Sequence, residues 1–472
     1  MIKNTTSEDV KSRLSGIFTD CADFNIRPVI SCGKILYIAN LGGFSGRDYI
    51  SENVIRPIVA SEIPVTDNNT LLGMLCASEV KEADSVDALK NLLLGGFAII
   101  FTDIGENVSA YGCMARTDPG RSVSEPQGEI VVRGPREGFT EKGEDSMVLL
   151  RKRLRSADMK VINLVLGEYS QTTVKVVYME GIADKRLVDD IVSIIKSMKL
   201  PTVMDSGYVE QFLTGGKTKI FTEVGNSEKP DKVAAKLSEG RVAIICDGSP
   251  VVLTVPYLFI ESLQSAEDYL KTPYYATFIR FIRFACLMLS LYLPAFYIAV
   301  MEHHKNAIPY SLLTSMMGAR KDVPFSLFAE LVVILLIFEL IREVGVRMPG
   351  SVGSAVSIVG GLILGDAAIS AGIASAPVII VASLTAICTF ILPPYMNSTV
   401  LVRFINIFAA RLFGMVGISV SFVFTVMHLC GKNSFGVPYL SPFAPISISG
   451  LNDSLYMNPK KALKNSDKEL KL

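Results

Sequence analysis

Phe284–Met301, FACLMLSLYLPAFYIAVM, runs without a single charge and marks the point where the chain changes solvent. Residues 1–283 have ordinary soluble composition, with charges every few positions, whereas Phe284 to Cys430 is a series of apolar segments broken by few charges. The mean hydropathy of +0.40 with 19% charged residues therefore averages two unlike halves. The apolar half divides at its charges and prolines into Phe284–Met301, Phe325–Ile341, Ala355–Ala374, Pro377–Pro393 and Leu412–Cys430. Each is about 17 to 20 residues, enough at ~1.5 Å per residue to cross a ~30 Å hydrocarbon layer. Buried core helices of a soluble protein produce one such stretch, not five in succession. The opening MIKNTTSEDVKSRL lacks an apolar signal-peptide core, so the expectation is that the first half stays in the cytoplasm.

Charge placement predicts topology. Arg280 and Arg283 abut the first apolar stretch, and Lys460, Lys461, Lys464, Lys468 and Lys471 crowd the C-terminal end. By the positive-inside rule both ends read as cytoplasmic, which demands an even number of crossings where five stretches are counted. The odd one is Ser351–Ala376, rich in Gly, Ala and Ser with Asp366 near its middle. Two readings stand side by side: a re-entrant or pore-lining element, or a plain helix whose small residues let neighbours approach closely.

Glu330, Glu339 and Asp366 lie in or at the edge of apolar stretches, where a carboxylate is costly and points to an ion or proton path. Glu330 and Glu339 fall on opposite helix faces at 100° per residue, and Glu339 has Arg342 beside it as an interfacial partner. Candidate pore or gating residues are therefore Gly353, Ser357, Gly360, Gly361, Asp366 and Glu330. His303 and His304 read as interfacial rather than metal-binding.

The soluble half carries an internal repeat. GKILYIANLGG from Gly33, followed by an amphipathic run through Ile50, Val54 and Ile58, is echoed by TVKVVYMEGIA from Thr173 and DKRLVDDIVSIIKSM. LLLGGFAIIFTDIGENVSAYG, ending at Gly112, is echoed by LSEGRVAIICDGSPVVLTVP, ending at Pro256. Each copy reads as strand, helix, then hairpin. In the second, Leu187, Ile191, Ile194, Ile195 and Met198 form one stripe with Asp184 as N-cap. In the first, Pro57 interrupts the helical pattern. The fold class predicted is an α/β soluble region of two related subdomains followed by an all-α polytopic membrane domain. Its boundaries are 1–122, a linker and helix at 123–156, 157–262, a membrane domain of four to five segments at 263–431, and a cytoplasmic tail at 432–472.

Between the copies, SEPQGEIVVRGPREGFTE (Ser124–Glu141) reads as an extended, turn-rich, solvated connector with alternating charges. Arg133, Arg136 and Glu137 are its candidates for contact with each other, a neighbouring subunit or lipid head groups. Catalysis finds no support. QFLTGGKT (Gln211–Thr218) has Gln where a phosphate-binding loop needs its first Gly. Eight cysteines lack metal or disulfide spacing, and the soluble half has no histidine for a nucleophilic triad. No catalytic residue, cofactor or metal is expected, and a net charge of zero without a basic block argues against nucleic acid.

PQGEIVVRGPREGFTE resembles the signature of the A subunits of bacterial spore germinant receptors. The resemblance continues through LLRKRLRS, YMEGIADKRLVDDI, MDSGYVEQ (Met204–Gln211), RVAIICDGSPVVLTVP, SAEDYL (Ser265–Leu270), GVRMPGSVGSAVSIVGGLILGDAA and FGVPYLSPFAP (Phe435–Pro445). These collinear blocks cover Gly33 to Pro445, with Ser146 standing where the family pattern leads one to expect Asn. A sporulation-expressed paralogue shares the architecture, and both branches stay open. The resemblance implies a subunit in the inner membrane of a dormant spore, beside a transporter-like B subunit that holds the nutrient and a lipoprotein C subunit. It further implies a homo-oligomeric, nutrient-gated cation channel in contact with membrane lipid. A non-conducting scaffold that couples a partner's ligand binding to assembly is the alternative.

Overall fold

The structure is a computed structural model and describes residues 5–105, 107–116, 126, 128–129, 133–215, 220–347, 361, 363–447 and 450–457. The first subdomain opens with α1 (Ser7–Ile17), capped by Thr6, whose side chain accepts from the Asp9 amide. It continues with β1 (Phe24–Ser31), β2 (Lys34–Leu41), β3 (Val80–Glu82), α2 (Val86–Leu94), β4 (Phe97–Ile104) and β5 (Asn107–Met114). Alternation along β2 and β4 places Tyr37, Ala39, Ile99 and Phe101 on one face against α1 and α2. Leu36, Ile38, Ala98 and Ile100 take the other face, against the helical stretch that begins at Arg47. Both faces are covered, so β4 is apolar at nearly every position. Pro57 does not end that helical stretch: Ser51–Ile55 is a π segment, and Pro57 falls in the first turn of the α-helix Arg56–Ala60 behind it. A missing N–H costs little in a first turn.

The second subdomain contains β6 (Met159–Leu166), β7 (Thr172–Met179), α4 (Lys185–Ser197), β8 (Gly225–Ser227), α5 (Pro230–Ser238), β9 (Val242–Cys246) and β10 (Val252–Val255). Between the subdomains runs α3 (Gly143–Arg153). The strand orders are β1-β2-β4-β5-β3 and β6-β7-β9-β10-β8, antiparallel throughout, so the sequence repeat is a repeat of topology. Asp184 caps α4, accepting from the Arg186 amide, and Leu187, Ile191, Ile195 and Met198 are buried beneath it.

α3 is wedged between the two sheets. Val148 joins the core of the first subdomain, while Met147, Leu149 and Leu150 join that of the second. Arg151 is 1% exposed. Its guanidinium holds both Asp23 oxygens, at 3.0 and 3.1 Å, and the carbonyls of Ser156 and Met159. This bidentate pair ties the subdomains together. The connector before α3 is partly packed too: Phe139 and Thr140 are buried, and Glu129 pairs with Lys232 at 2.6 Å.

The helical half begins with α6 (Pro273–Ile298), which runs on as a π turn to His303. There follow α7 (Leu327–Arg347), a helical piece at 361 and 363–370, α8 (Ala376–Phe390) and α9 (Met396–Cys430). Two regions, Pro273–His303 and Pro393–Cys430, are long and apolar enough to cross a membrane. Yet α9 is not one rod. At Gly414 the backbone takes φ 59° and ψ −136°, and the chain doubles back. Asn406 donates to the Leu291 carbonyl at 3.0 Å, while the Phe422 ring lies 5.8 Å from that of Tyr292. In a straight helix those two α9 residues would stand about 24 Å apart. Gly417 packs so closely on the Ala409 carbonyl that a Cβ would collide with it. The leg 396–413, left out of the apolar stretches because of Arg403, Asn406 and Arg411, therefore pairs antiparallel with 415–430. The described residues thus hold one leg that the five apolar stretches leave out, and a ten-residue helix, Tyr310–Ala319, lies between α6 and α7.

Both ends of the bundle's chain return to the soluble domain. Lys432 donates to the Phe221 carbonyl and Ser434 to the Glu223 carbonyl, at 2.9 and 2.8 Å. The Tyr395 hydroxyl donates to the Phe259 carbonyl at 3.0 Å and lies 3.1 Å from the Tyr439 hydroxyl. Arg280, wholly buried, holds Asp268 at 3.2 Å and Asp453 at 3.1 Å. Residues 432–447 and 450–457 thus form a packed wedge between sheet and bundle.

Candidate functional site

Glu330, Glu339 and Asp366 come to lie in different settings. Glu330, 2% exposed, accepts from the backbone N–H and hydroxyl of Ser375 at 2.6 Å each and pairs with Arg320 at 3.1 Å. It thereby satisfies the first turn of α8, where backbone N–H groups lack helical partners. A buried carboxylate so used holds the helix start in place.

Glu339 reaches the opposite way. One of its oxygens lies 3.2 Å from Arg403 and the other 2.8 Å from Arg342. Arg403 is 1% exposed and spends its remaining donors on the Ser290 carbonyl, at 2.9 Å, and the Thr389 hydroxyl, at 2.5 Å. Four legs meet at this guanidinium. Buried to this degree, the charge is stable because each of its three nitrogens has an acceptor.

Beside this cluster is a cavity of about 580 Å³, with Phe338, Ile369 and Ile379 among its apolar walls and Glu339, Arg342, Arg403, Ser383, Thr389 and Asp366 as its polar groups. Gly361 and Gly365 also line it. Asp366 is exposed to this space and has no hydrogen-bond or ion-pair partner among the described residues. Arg342 and Arg403 against Glu339 and Asp366 leave the cavity with no net formal charge. Asp366 thus supplies the balancing negative charge without being locked in a pair. The structure brings Gly361 and Asp366 together with Glu339, Arg342 and Arg403, and leaves Glu330 elsewhere. Gly353, Ser357 and Gly360 lie outside the described residues.

The arginine that organises the cluster was not singled out in the sequence, because Arg403 counts as a break in a hydropathy profile. A signal is there nonetheless. Val402, Arg403, Asn406, Ile407 and Ala410 are buried while Leu401, Ile405, Phe408 and Leu412 are exposed, at helical spacing. The polar face turns inward and the apolar face outward, the reverse of a soluble helix. The same inversion exposes Val333, Leu336 and Leu340 on α7 and Ile380, Leu384 and Ile387 on α8.

Of the candidate contact residues before α3, Arg133 and Arg136 are exposed, and half-buried Glu137 pairs with Arg153 at 2.7 Å. At the junction below the bundle, Glu261 is held at 3% side-chain exposure by Arg241, at 2.7 Å, and Lys236, at 2.8 Å. Burial pushes its carboxyl pKa up, but the two cations outweigh burial and hold it below the ordinary value of 4.5.

The family model described as Bacillus/Clostridium GerA spore germination protein matches residues 12–469. The chain is 36% identical over 434 residues to the uncharacterized membrane protein YfkQ of Bacillus subtilis (strain 168), covering 91% of this chain and 83% of the relative. It is 36% identical over 432 residues to spore germination protein KA of the same organism, covering 90% and 78%. With spore germination protein GerLA of Bacillus cereus it shares 32% identity over 452 residues, covering 94% and 91%. The crystal structure of the N-terminal domain of the A subunit of the Bacillus megaterium spore germinant receptor GerK3 matches with a TM-score of 0.41 and 23% identity, over 55% of this chain and 97% of that one.

Proposed function

The chain belongs to the GerA family of spore germination proteins, and on that premise we propose that it is the A subunit of a germinant receptor forming an oligomeric, nutrient-gated cation channel. The apolar legs cross the inner membrane of the spore, with the tandem α/β domain and the packed tail on the cytoplasmic side. Support comes from the outward apolar faces of the legs and from Arg280 and Arg283 at the end shared with the soluble domain. A transporter-like B subunit supplies the nutrient site and a lipoprotein C subunit completes the complex. Movement of the nutrient-bound partner reaches the legs through the wedge at 432–447 and 450–457.

The observation that carries this reading is the Asp366 carboxylate, which has no partner among the described residues, in a cavity whose other charged groups pair with one another. A permeating cation needs a negative group that is not already neutralised, and Asp366 offers one beside the small residues Gly361 and Gly365. Gly353, Ser357 and Gly360 belong to the same proposed route. The test is cation flux in liposomes holding the chain and its partners, with and without nutrient. Nutrient-dependent flux that falls in Asp366→Asn is the expected result; identical flux in both, or none in either, ends the channel reading.

A second reading rests on a specific fact. Glu330, Glu339 and Arg411 are all engaged, with Ser375 and Arg320, with Arg342 and Arg403, and with Glu302 respectively. Such fixed pairs suit a non-conducting scaffold that transmits a partner's ligand binding into assembly. Absence of flux together with intact nutrient-dependent assembly would favour it.

A further inference from the structure

The outward stripe of α6 changes character along its length. Tyr274 and Tyr275, in the first turn, are 77% and 48% exposed; Phe278 and Phe281 follow at 60% and 52%, and Leu289 and Phe296 carry the stripe onward. Rings tipped with a hydroxyl give way to wholly apolar ones, the order met on passing from a headgroup layer into hydrocarbon. From Tyr274 to Glu302 at the far end the helix and its π turn rise about 40 Å at ~1.5 Å per residue. A bilayer with its headgroups is ~40–45 Å thick, so Tyr274 and Tyr275 stand at headgroup level.

The cations next to these tyrosines are already matched. Arg280, wholly buried, is spent on Asp268, Asp453 and the Ser454 carbonyl. Arg283 is spent on Asp268 and the Leu263 carbonyl, and Lys271 pairs with Glu267 at 2.9 Å. Unmatched positive charge arrives with the end of the chain. The Met457 N–H donates to Thr277 Oγ1 at 3.1 Å, in the opening turns of α6. Beyond it come Lys460, Lys461, Lys464, Lys468 and Lys471 against Asp467 and Glu469. Lys460 and Lys461 are three and four residues on, which keeps their backbone within about 14 Å of that point.

We propose that the stripe from Tyr274 to Phe281 and the lysines at 460–471 form one surface for anionic phospholipid, the rings seated among the upper acyl chains and the ammonium groups on the phosphates. This binding rests on the membrane crossing of α6 but not on conduction, so it and the channel can fail separately.

The chain contains no tryptophan, so Phe278→Trp places a single fluorescent reporter in the stripe. The full chain carrying it is put into vesicles of mixed phosphatidylglycerol and phosphatidylcholine, with bromine on the acyl chains of one lipid or the other as quencher. The quenching should give phosphatidylglycerol an association constant about fivefold higher, the size of one lysine at an anionic surface. Replacing the five lysines with glutamine should bring the ratio to about one, and so should ~1 M salt, where charges are screened within ~3 Å. A ratio of one with the lysines in place, or an unchanged ratio after their replacement, overturns the proposal and leaves the membrane crossing intact. Quenching by neither lipid overturns it as well, since the stripe is then covered by protein, a second copy included, or lies outside the bilayer.

Discussion

Ser421 donates a hydrogen bond to the side-chain oxygen of Asn406, fifteen residues earlier in what a linear reading takes for one helix. That contact exists only because the chain reverses at Gly414, where a Cβ would press on His303 at 3.0 Å. His303 Nε2 lies 3.1 Å from the Arg411 carbonyl, one of the acceptors freed by the reversal, and Arg411 pairs with Glu302 at 2.5 Å. The turn is therefore braced from the end of α6.

A cysteine at Phe413, 67% exposed at the tip of this turn, should react with a membrane-impermeant thiol reagent from the side opposite the soluble domain. A cysteine at Lys199 in the soluble domain should react from the other side. Were 396–430 a single span, Phe413 would sit near mid-membrane and resist labelling from either side. Vesicles of defined orientation read the difference directly.

Gly414→Val should lower stability, since its backbone conformation costs a residue with a Cβ about 1–3 kcal/mol before the clash with His303 is added. Thermal unfolding of the purified chain measures it. Gly73→Ala, where nothing lies within 4 Å of a new Cβ, is the control and should change little.

Arg151→Ala should cost about 3–5 kcal/mol by stranding the mostly buried Asp23 carboxylate. Arg151→Lys keeps the charge but not the fork that holds both oxygens and two carbonyls, so it should recover only part of the loss. Hydrogen exchange should show weakened protection on both sides of α3.

Stability should depend on acid through Glu261. Its folded pKa lies below the ordinary 4.5, so the contribution is complete above that value and is lost as pH falls through the lower, folded one. The unfolding midpoint should be flat from neutrality to about pH 5 and then drop. In Glu261→Gln it should start lower and drop less.

The thiols of Cys113 and Cys246 are pushed up to about 12, chiefly by burial. In the native chain neither should be alkylated at pH 8, whereas the exposed Cys32 and Cys76 should be. Mass spectrometry of the labelled, digested protein separates the four.

Much of the soluble fold was legible because it is written in local terms. Apolar runs bounded by glycines mark β2 and β4, a 3.6-residue stripe with Asp184 in front marks α4, and the two hairpins recur at matching places. The edge strands escaped notice: β3 and β8 are three residues long and too short to carry a period, and the eight-residue β1 and β6, which precede the strand that opens each copy, were not read either. The connector before α3 reads as solvated, which fits the exposed Arg133 and Arg136 but not its end: polar, Gly- and Pro-rich segments look alike whether solvated or packed, and the burial of Phe139 and Thr140 comes from the sheet they lean on. In the cavity, Asp366 announced itself as a carboxylate among apolar residues. Arg403 did not, because averaging hydropathy treats an inward-facing charge and a surface charge alike.

Composition and periodicity by themselves determined the division into a water-facing and a lipid-like half, the duplicated subdomain and the common side of both bundle ends. Each of these depends on side-chain transfer energies or local backbone preference, which add along the chain. Only the tertiary structure decided that α9 is a hairpin, that Glu330 secures a helix start while Glu339 is shared between Arg342 and Arg403, and that Asp366 meets no partner among the described residues. Those outcomes depend on which groups meet across distant segments, and in a medium that solvates no charge, the partner a charge finds fixes what it can do.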